Sequence, residues 1–152
     1  MGQIITLKAA DGHEFSAYET GHAEMPHALV VVQEIFGVNG HIRHVCDIFA
    51  EHGFHVIAPA VFDRAERGVE LGYEKADIQT GLALRSQIPV SETLLDLEAA
   101  AAALGKAAVG IIGYCRGGLP AREASRRTDP FAPAVPWSGA WIPPRCVGPP
   151  RR

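Results

Sequence analysis

The stretch VGIIGYCRGG, residues 109–118, decides the fold, because it joins a short apolar run to a glycine-flanked turn. The apolar run is typical of a buried strand in a parallel sheet, where both faces are covered. Cys115 lies at the apex of the turn, between Gly113 and Gly117. A nucleophile elbow has this spacing, since small residues on either side let the strand and the following helix approach each other. The turn therefore predicts Cys115 as a nucleophile, with an incidental cysteine in a glycine-rich turn as the alternative.

Upstream of this stretch, strand and helix patterns alternate along the chain. A hairpin signal at Asp11-Gly12 precedes the run Val30–Val32, whose apolar character fits a strand buried on both faces. Further elements follow in order: a helix ending near Gly53, a strand up to Pro59, a polar loop over 60–72, and helices over 73–86 and 91–104 with Ser91 as N-cap. This alternation predicts an α/β fold, with a mostly parallel sheet and helices on both faces.

The composition of the chain changes after Cys115. Acidic residues outnumber basic ones by 15 to 7 up to this point, whereas the remaining 37 residues hold seven arginines, two acids and eight of the eleven prolines. We predict one partial α/β domain over residues 1–140, incomplete at its C-terminus, with one short strand near 132–136 and a disordered tail over 141–152. The tail lacks the aromatic interleaving of an RNA-binding platform, so no nucleic-acid partner is expected.

Membrane and secreted classes are not indicated by the sequence. No apolar run reaches the length of a membrane span, and the first residues lack the pattern of a signal peptide. Three cysteines are too sparse, and odd in number, for a disulfide scaffold. A cytoplasmic protein without a membrane partner is the expectation.

Glu34 belongs to a second motif, QEIFG, which comes directly after the predicted strand that contains Val30–Val32. Loops at the carboxyl ends of parallel strands are where active sites of α/β proteins assemble. A carboxylate in such an apolar setting is either paired or functional. We interpret Glu34 as functional, with a structural acid that binds loop N–H groups as the alternative.

His41, His44 and His52 lie near one face of the predicted helix that ends at Gly53, which raises the question of a metal site. Cys46 falls on the opposite, apolar face and cannot join them. A solvated helix face is therefore the favoured interpretation, and no metal is expected. His41 also lies close in sequence to Glu34, and it is kept as an alternative, makeshift base.

Four segments, DGHEF, QEIFGVNGHIR, HVIAP and GYCRGG, together resemble the dienelactone hydrolase (carboxymethylenebutenolidase) family of α/β hydrolases. The resemblance implies hydrolysis of a small enol-lactone or ester through an acyl-enzyme, as in the degradation of aromatic compounds, without a cofactor. It implies Cys115 as the nucleophile and Glu34 as the carboxylate that contacts the resting thiol. Backbone N–H groups of Ile35 and Arg116 would form the oxyanion hole. Arginines hold the substrate carboxylate in this family, and the candidates here are Arg64, Arg67 and Arg85.

The triad partners that the resemblance implies, an aspartate and then a histidine after the nucleophile, have no match in this sequence. All seven histidines precede Cys115, and the only acids after it are Glu123 and Asp129. We therefore expect these 152 residues to be impaired as a hydrolase. A non-catalytic remnant or a binding module for a lactone is the alternative function.

Overall fold

A computed structural model describes residues 1–114, 120–121 and 123–124, and the backbone of residues 131–137. The strands are β1 (Gln3–Lys8), β2 (Glu14–Thr20), β3 (His27–Val32), β4 (Phe54–Pro59), β5 (Val109–Tyr114) and β6 (Phe131–Trp137). The helices are α1 (Gly40–Glu51), α2 (Lys75–Ser86) and α3 (Val90–Leu104), with a 3₁₀ turn at Val61–Arg64. The predicted tail over 141–152 lies outside the described residues. None of the helices within these ranges is long and apolar enough to cross a membrane.

All six strands form one sheet in the order β1-β2-β4-β3-β5-β6. The β1–β2 and β2–β4 pairs are antiparallel, whereas β3 runs parallel to both β4 and β5, and β5 runs parallel to β6. Parallel neighbours need crossover connections, which α1 and α3 contribute. The register between β5 and β6 shifts near Val109, opposite the part of β6 that contains Pro133, a residue without an N–H to donate. The predicted short strand near 132–136 is thus confirmed.

Strand β3 buries side chains on both faces of the sheet. Val30 packs in an apolar cluster with Leu97 of α3, whereas Val31 packs in a second cluster with Ile42 and Cys46 of α1. Successive side chains of a strand point to opposite faces, so these neighbours must meet different helices. The predicted α/β fold with helices on both faces of a mostly parallel sheet is therefore confirmed.

Glycines end two of the predicted elements where the backbone enters the left-handed region. Gly12 has a φ of 89° in the turn of the β1–β2 hairpin, and Gly53 has a φ of 87° just after α1. Residues with a Cβ rarely adopt such angles, which is why the sequence signals at these positions are reliable.

Two of the sequence expectations are wrong in detail. Helix α3 begins at Val90 with Pro89 as its N-cap, and the carbonyl of Pro89 accepts the N–H of Glu92 at 3.1 Å. Ser91 therefore lies inside the first turn and does not cap the helix. The predicted polar loop over 60–72 contains the 3₁₀ turn, in which Phe62 is buried in the core. The surrounding polar residues predict an exposed loop, but burial of the large apolar ring of Phe62 holds this segment against the core.

Cys46 is a buried free thiol on the inner face of α1. Burial, with a smaller contribution from the neighbouring Asp47 carboxylate, raises the pKa of this thiol to about 12. The thiolate is the reactive form of cysteine, so the thiol is inert near neutral pH in the folded chain. Its predicted place in the core is confirmed.

We predict that Cys46 resists alkylation by iodoacetamide at pH 8 in the folded chain and reacts readily in concentrated urea. Burial excludes the reagent, and the raised pKa keeps the thiol protonated. Peptide mapping by mass spectrometry measures the labelled fraction at Cys46 under each condition. Equal labelling rates with and without urea would contradict the burial of this side chain.

Candidate active site

The chain turns sharply after β3, through residues 33–39, which we call the acid loop because it contains Glu34. Glu34 is half-buried and pairs with Gly37 in an isolated antiparallel bridge, while Gly37 pairs in turn with Glu70. The N–H of Leu71 donates to the carbonyl of Phe36 at 2.8 Å. The acid loop is therefore bound by backbone contacts to the segment that follows the 3₁₀ turn.

Side chains of α1 and its N-cap add to this attachment. One guanidinium nitrogen of Arg43, Nη1, donates to the carbonyl of Val38 at 2.8 Å and to the Glu70 carboxylate at 2.7 Å. The hydrogen bond that Arg43 donates to the Glu70 carboxylate raises the pKa of Arg43 above its usual value. Asn39 donates from Nδ2 to the carbonyl of Leu71 at 3.2 Å. Both side chains thus connect the acid loop to the segment around residues 70–71.

Gly37 is a position where the acid loop requires glycine. Its φ is 81°, and a Cβ built there would collide with the carbonyl oxygen of Val69 and lie 3.0 Å from the carbonyl carbon. Backbone atoms cannot rotate away as a flexible side chain can. The acid loop and residue 69 are therefore in direct backbone contact.

Strand β5 ends at the same edge of the sheet as the acid loop. Val32 at the end of β3 lies opposite Gly113 in the parallel β3–β5 pair, and Tyr114 is the last residue of β5. Burial raises the pKa of the Tyr114 phenol, and the negative charge of the Glu34 carboxylate adds to this effect. Cys115 follows Tyr114 in the sequence, but Cys115 and Arg116 lie outside the described residues.

A small pocket of about 20 Å³ lies beside Glu34. It has room for about one water molecule. Its described lining consists of Val32, Gln33, Glu34, Ile35, Val61, Phe62, Arg85, Thr93 and Pro120. The structure thus brings three of the sequence-predicted site residues together: Glu34, Ile35 and Arg85.

Gln33 is a pocket residue that the sequence reasoning did not single out, although it stands in the QEIFG motif. The side chain is buried, and its Nε2 donates to the carbonyl of Glu34 at 3.3 Å. Its Oε1 is buried, and no donor among the described residues reaches it. A buried acceptor costs free energy unless a donor reaches it. The pocket therefore favours a group that can donate a hydrogen bond to Oε1 of Gln33. Thr93, the other missed polar residue of the lining, has no signal in the sequence.

Arg85 is the predicted substrate-binding arginine that the structure places in the pocket. It extends from the last turn of α2, and its Nη1 donates to the carbonyl of Ile88 at 2.9 Å. No carboxylate among the described residues forms an ion pair with it. Within the described part of the chain, its positive charge is therefore not balanced by a carboxylate.

Arg64 is held instead in a cluster of carboxylates. Its guanidinium binds Asp96 through two hydrogen bonds of 2.7 and 2.9 Å, Asp11 at 2.8 Å and Glu92 at 3.4 Å. Burial opposes the charge of Arg64, but the hydrogen bonds to Asp96 and Asp11 outweigh it and raise its pKa above the usual range. Arg67 is exposed and donates to the carbonyl of Glu14 at 2.6 Å. Neither arginine is among the described residues of the pocket.

The histidines considered as metal ligands or as a base lie on the surface of α1 or just after it. His41, His44 and His52 are exposed, and His52 contacts the carbonyl of Ile48 through Nδ1 at 2.7 Å. No group of three metal-binding side chains forms among the described residues. His41 contacts the ring of Tyr73, with 6.5 Å between ring centroids, and is not among the described residues of the pocket.

The strand order, the buried parallel strands and the acid loop after β3 define a protein of the α/β-hydrolase class. The sequence model of the Dienelactone hydrolase family matches residues 15–150. The chain belongs to the dienelactone hydrolase family.

Individual relatives agree with this assignment. The chain is 43% identical over 96 residues to a "Putative carboxymethylenebutenolidase" of Synechocystis sp., covering 59% of this chain and 39% of the relative. It is 29% identical over 121 residues to the carboxymethylenebutenolidase of Pseudomonas putida, covering 75% of this chain and 51% of the relative. A solved structure, "Putative Dienelactone Hydrolase" from Klebsiella pneumoniae, superimposes with a TM-score of 0.70 at 28% identity, covering 87% of this chain and 58% of that one. The chain spans about half the length of the relatives it matches, or less.

We predict that Arg64→Met lowers the free energy of unfolding by about 3 kcal/mol, because Asp96 is left buried without its partner. Arg67→Met is the matched control, since it removes an exposed guanidinium that binds a single carbonyl, and it should cost less than about 0.5 kcal/mol. Urea unfolding followed by circular dichroism measures both values. Similar stabilities for the two variants would contradict a structural role for the Arg64 cluster.

Proposed function

We propose that the chain carries the nucleophile and acid of a hydrolase that opens a small enol-lactone or ester, with Cys115 as the nucleophile. The observation that supports this most strongly is the acid loop at the end of β3 beside the end of β5, where Tyr114 immediately precedes Cys115. Membership of the dienelactone hydrolase family and the similarity to the carboxymethylenebutenolidase of Pseudomonas putida favour this chemistry. We further propose that it takes place in the cytoplasm, in the degradation of aromatic compounds.

The proposed reaction is an acyl transfer in two steps. The sulfur of Cys115 attacks the ester carbonyl carbon, a C–S bond forms, and the carbonyl electrons move to oxygen, which accepts hydrogen bonds from the N–H groups of Ile35 and Arg116. The carbonyl then re-forms as the C–O bond breaks, the electron pair leaves with the ester or ring oxygen, which solvent protonates, and an acyl-enzyme remains. Water attacks the acyl carbon, releases the carboxylic acid and restores the thiol. In this scheme Glu34 contacts the resting thiol and takes its proton as the C–S bond forms.

Arg85 is the arginine that we propose for binding the substrate carboxylate. It shares the pocket with Glu34 and Ile35, and its charge is not taken up by a carboxylate among the described residues. Arg64 and Arg67 are weaker candidates, because their guanidinium groups are bound to other parts of the protein. No cofactor takes part in this scheme.

We also propose that deacylation is slow in these 152 residues. The seven histidines all precede Cys115 in sequence. His41, His44 and His52, which lie on α1 or just after it, are not among the described residues of the pocket. An imidazole would normally protonate the leaving group and activate the hydrolytic water, and the loss of a triad member costs on the order of 10⁴-fold in rate.

Reaction with 4-nitrophenyl acetate tests the proposed nucleophile, because its leaving group departs as an anion and needs no proton donor. We expect a burst of nitrophenolate, one acetyl group on Cys115 by mass spectrometry, and a slow steady state. Cys115→Ala should abolish the burst. Absence of acetylation at Cys115 would overturn the proposal and favour a binding module, and rapid steady turnover would contradict slow deacylation.

The proposed contact between Glu34 and Cys115 predicts a pH effect with a definite sign. A carboxylate beside a thiol disfavours the thiolate and raises the thiol pKa, so Glu34→Gln should move the pH profile of Cys115 alkylation to lower pH by about 1 unit or more. Glu66→Gln changes an exposed carboxylate outside the pocket and should leave the profile unchanged. Alkylation rates with iodoacetamide between pH 6 and 10 give both profiles. Coincident profiles for Glu34→Gln and the unmodified chain would place Glu34 away from the thiol.

A further inference from the structure

Gly81 of α2 lies directly against the backbone of the acid loop. It is buried, and a Cβ built on it would collide with the carbonyl oxygen of Ile35 and lie 3.0 Å from the carbonyl carbon and 3.2 Å from the Ile35 Cβ. Two of these atoms belong to the backbone, so no rotation of a side chain relieves the contact. Only glycine therefore allows α2 and the acid loop to approach this closely.

This glycine is unfavourable for the helix itself. Glycine in a helix interior is less stable than alanine, and Gly81 lies in the middle of α2, between Lys75 and Ser86. The backbone conformation of Gly81 does not require a glycine, because its φ lies outside the left-handed region. The contact with Ile35 is the feature of the structure that accounts for a glycine at this position.

The close approach of α2 also determines where Arg85 lies. Residues four apart on a helix share one face, so Gly81 and Arg85 both face the acid loop. Arg85 lines the pocket together with Glu34 and Ile35. On its other side the acid loop is in contact with Val69 through Gly37. The loop is thus held between two backbone contacts, and α2 supplies one of them.

We propose that Gly81 is a positioning residue, which sets the Ile35 peptide and the Arg85 side chain for acyl transfer. The proposal rests on the proposed function, in which the Ile35 N–H binds the oxyanion. A Cβ at residue 81 collides with the Ile35 carbonyl and displaces Ile35, whose N–H is the proposed oxyanion donor, so the distance between this N–H and the reacting carbonyl changes. Loss of one oxyanion donor lowers the rate by about 10²–10³-fold.

Gly81→Ala tests this inference, with Gly40→Ala as the matched control. A Cβ at Gly40, the first residue of α1, has its nearest neighbour 4.0 Å away, at the Arg43 guanidinium. We expect Gly81→Ala to slow acetylation of Cys115 by 4-nitrophenyl acetate about 10²-fold. Alkylation of the same thiol, which forms no oxyanion, should change less than about threefold, because the thiol itself is intact. Gly40→Ala should leave both rates unchanged.

Ala83→Gly separates positioning from a general loss of stability. Ala83 is exposed on α2, so this change weakens the helix without touching the acid loop and should lower Tm by roughly 2–4 °C. We expect its acetylation rate to be unchanged. Equal acetylation in Gly81→Ala and the unmodified chain, or an equal loss in Ala83→Gly, would overturn the inference.

Hydrogen exchange of the unmodified chain tests the inference even if Gly81→Ala does not fold or Cys115 is not acetylated. The Leu71 amide, bonded to the carbonyl of Phe36, reports opening of the acid loop. If α2 holds the loop, the Leu71 amide and the amides of α2 should exchange in one cooperative opening with the same dependence on urea. If the Leu71 amide instead exchanges through a smaller opening in which α2 stays folded, Gly81 does not hold the acid loop in place. This result would overturn the inference. Absence of acetylation in the unmodified chain would count against the proposed function alone.

Discussion

Strand β3 must bury side chains on both faces at once, and the rest of the structure depends on this constraint. Val30 needs the cluster that contains α3, and Val31 needs the cluster that contains α1, so neither face can be left to solvent. Parallel neighbours in β4 and β5 complete the backbone hydrogen bonds of the strand. Polar chemistry is consequently excluded from residues 28–32 of β3, whereas His27 at the start of the strand is exposed. Polar chemistry begins where the strand ends, at Gln33 and Glu34.

Packing and electrostatics contribute unequally to holding the acid loop. The Arg43–Glu70 pair is short, but the Glu70 side chain is about half exposed, and ion pairs in such settings contribute about 0–1 kcal/mol. The backbone contacts at Gly37 and Gly81 are of another kind, since a single added methyl group has no space at either position. Position is therefore determined mainly by these two glycines, and the ion pair adds a modest preference for the attached state.

The sequence predicted the fold well, because the fold depends on local patterns. The apolar run of β3, the helical spacing of α1 and the glycines after the hairpin and the helix are short-range signals, and the structure confirms each of them. The start of α3 was missed because Pro89 competes with Ser91 for the cap, and a serine alone does not decide between them. The 3₁₀ turn was missed because burial of Phe62 is a property of the tertiary structure.

The candidate site was predictable only in part, for a related physical reason. Glu34 and Ile35 stand in a recognisable motif, whereas the partners of an arginine are set by elements distant in sequence. Arg64, Arg67 and Arg85 are chemically equivalent in the sequence, and only the fold separates them. Gly81 carries no signal at all, because a glycine in a helix has no visible partner until the helix is packed.

Arg64 and Arg85 have different surroundings and therefore different roles at one end of the sheet. Arg64 contributes to the packing, and Arg85 contributes positive charge to the pocket. A buried guanidinium surrounded by carboxylates has its charge balanced, and its hydrogen bonds are occupied, so it stabilises the packing of α3 against the hairpin and offers little to a ligand. Arg85 is bound to a carbonyl, which occupies one donor, and no carboxylate in the described part of the chain balances its charge. That charge lies in the same pocket as Glu34, so each offsets the field of the other. In the proposed function, Arg85 would lower the repulsion that the Glu34 carboxylate exerts on an anionic substrate beside this pocket.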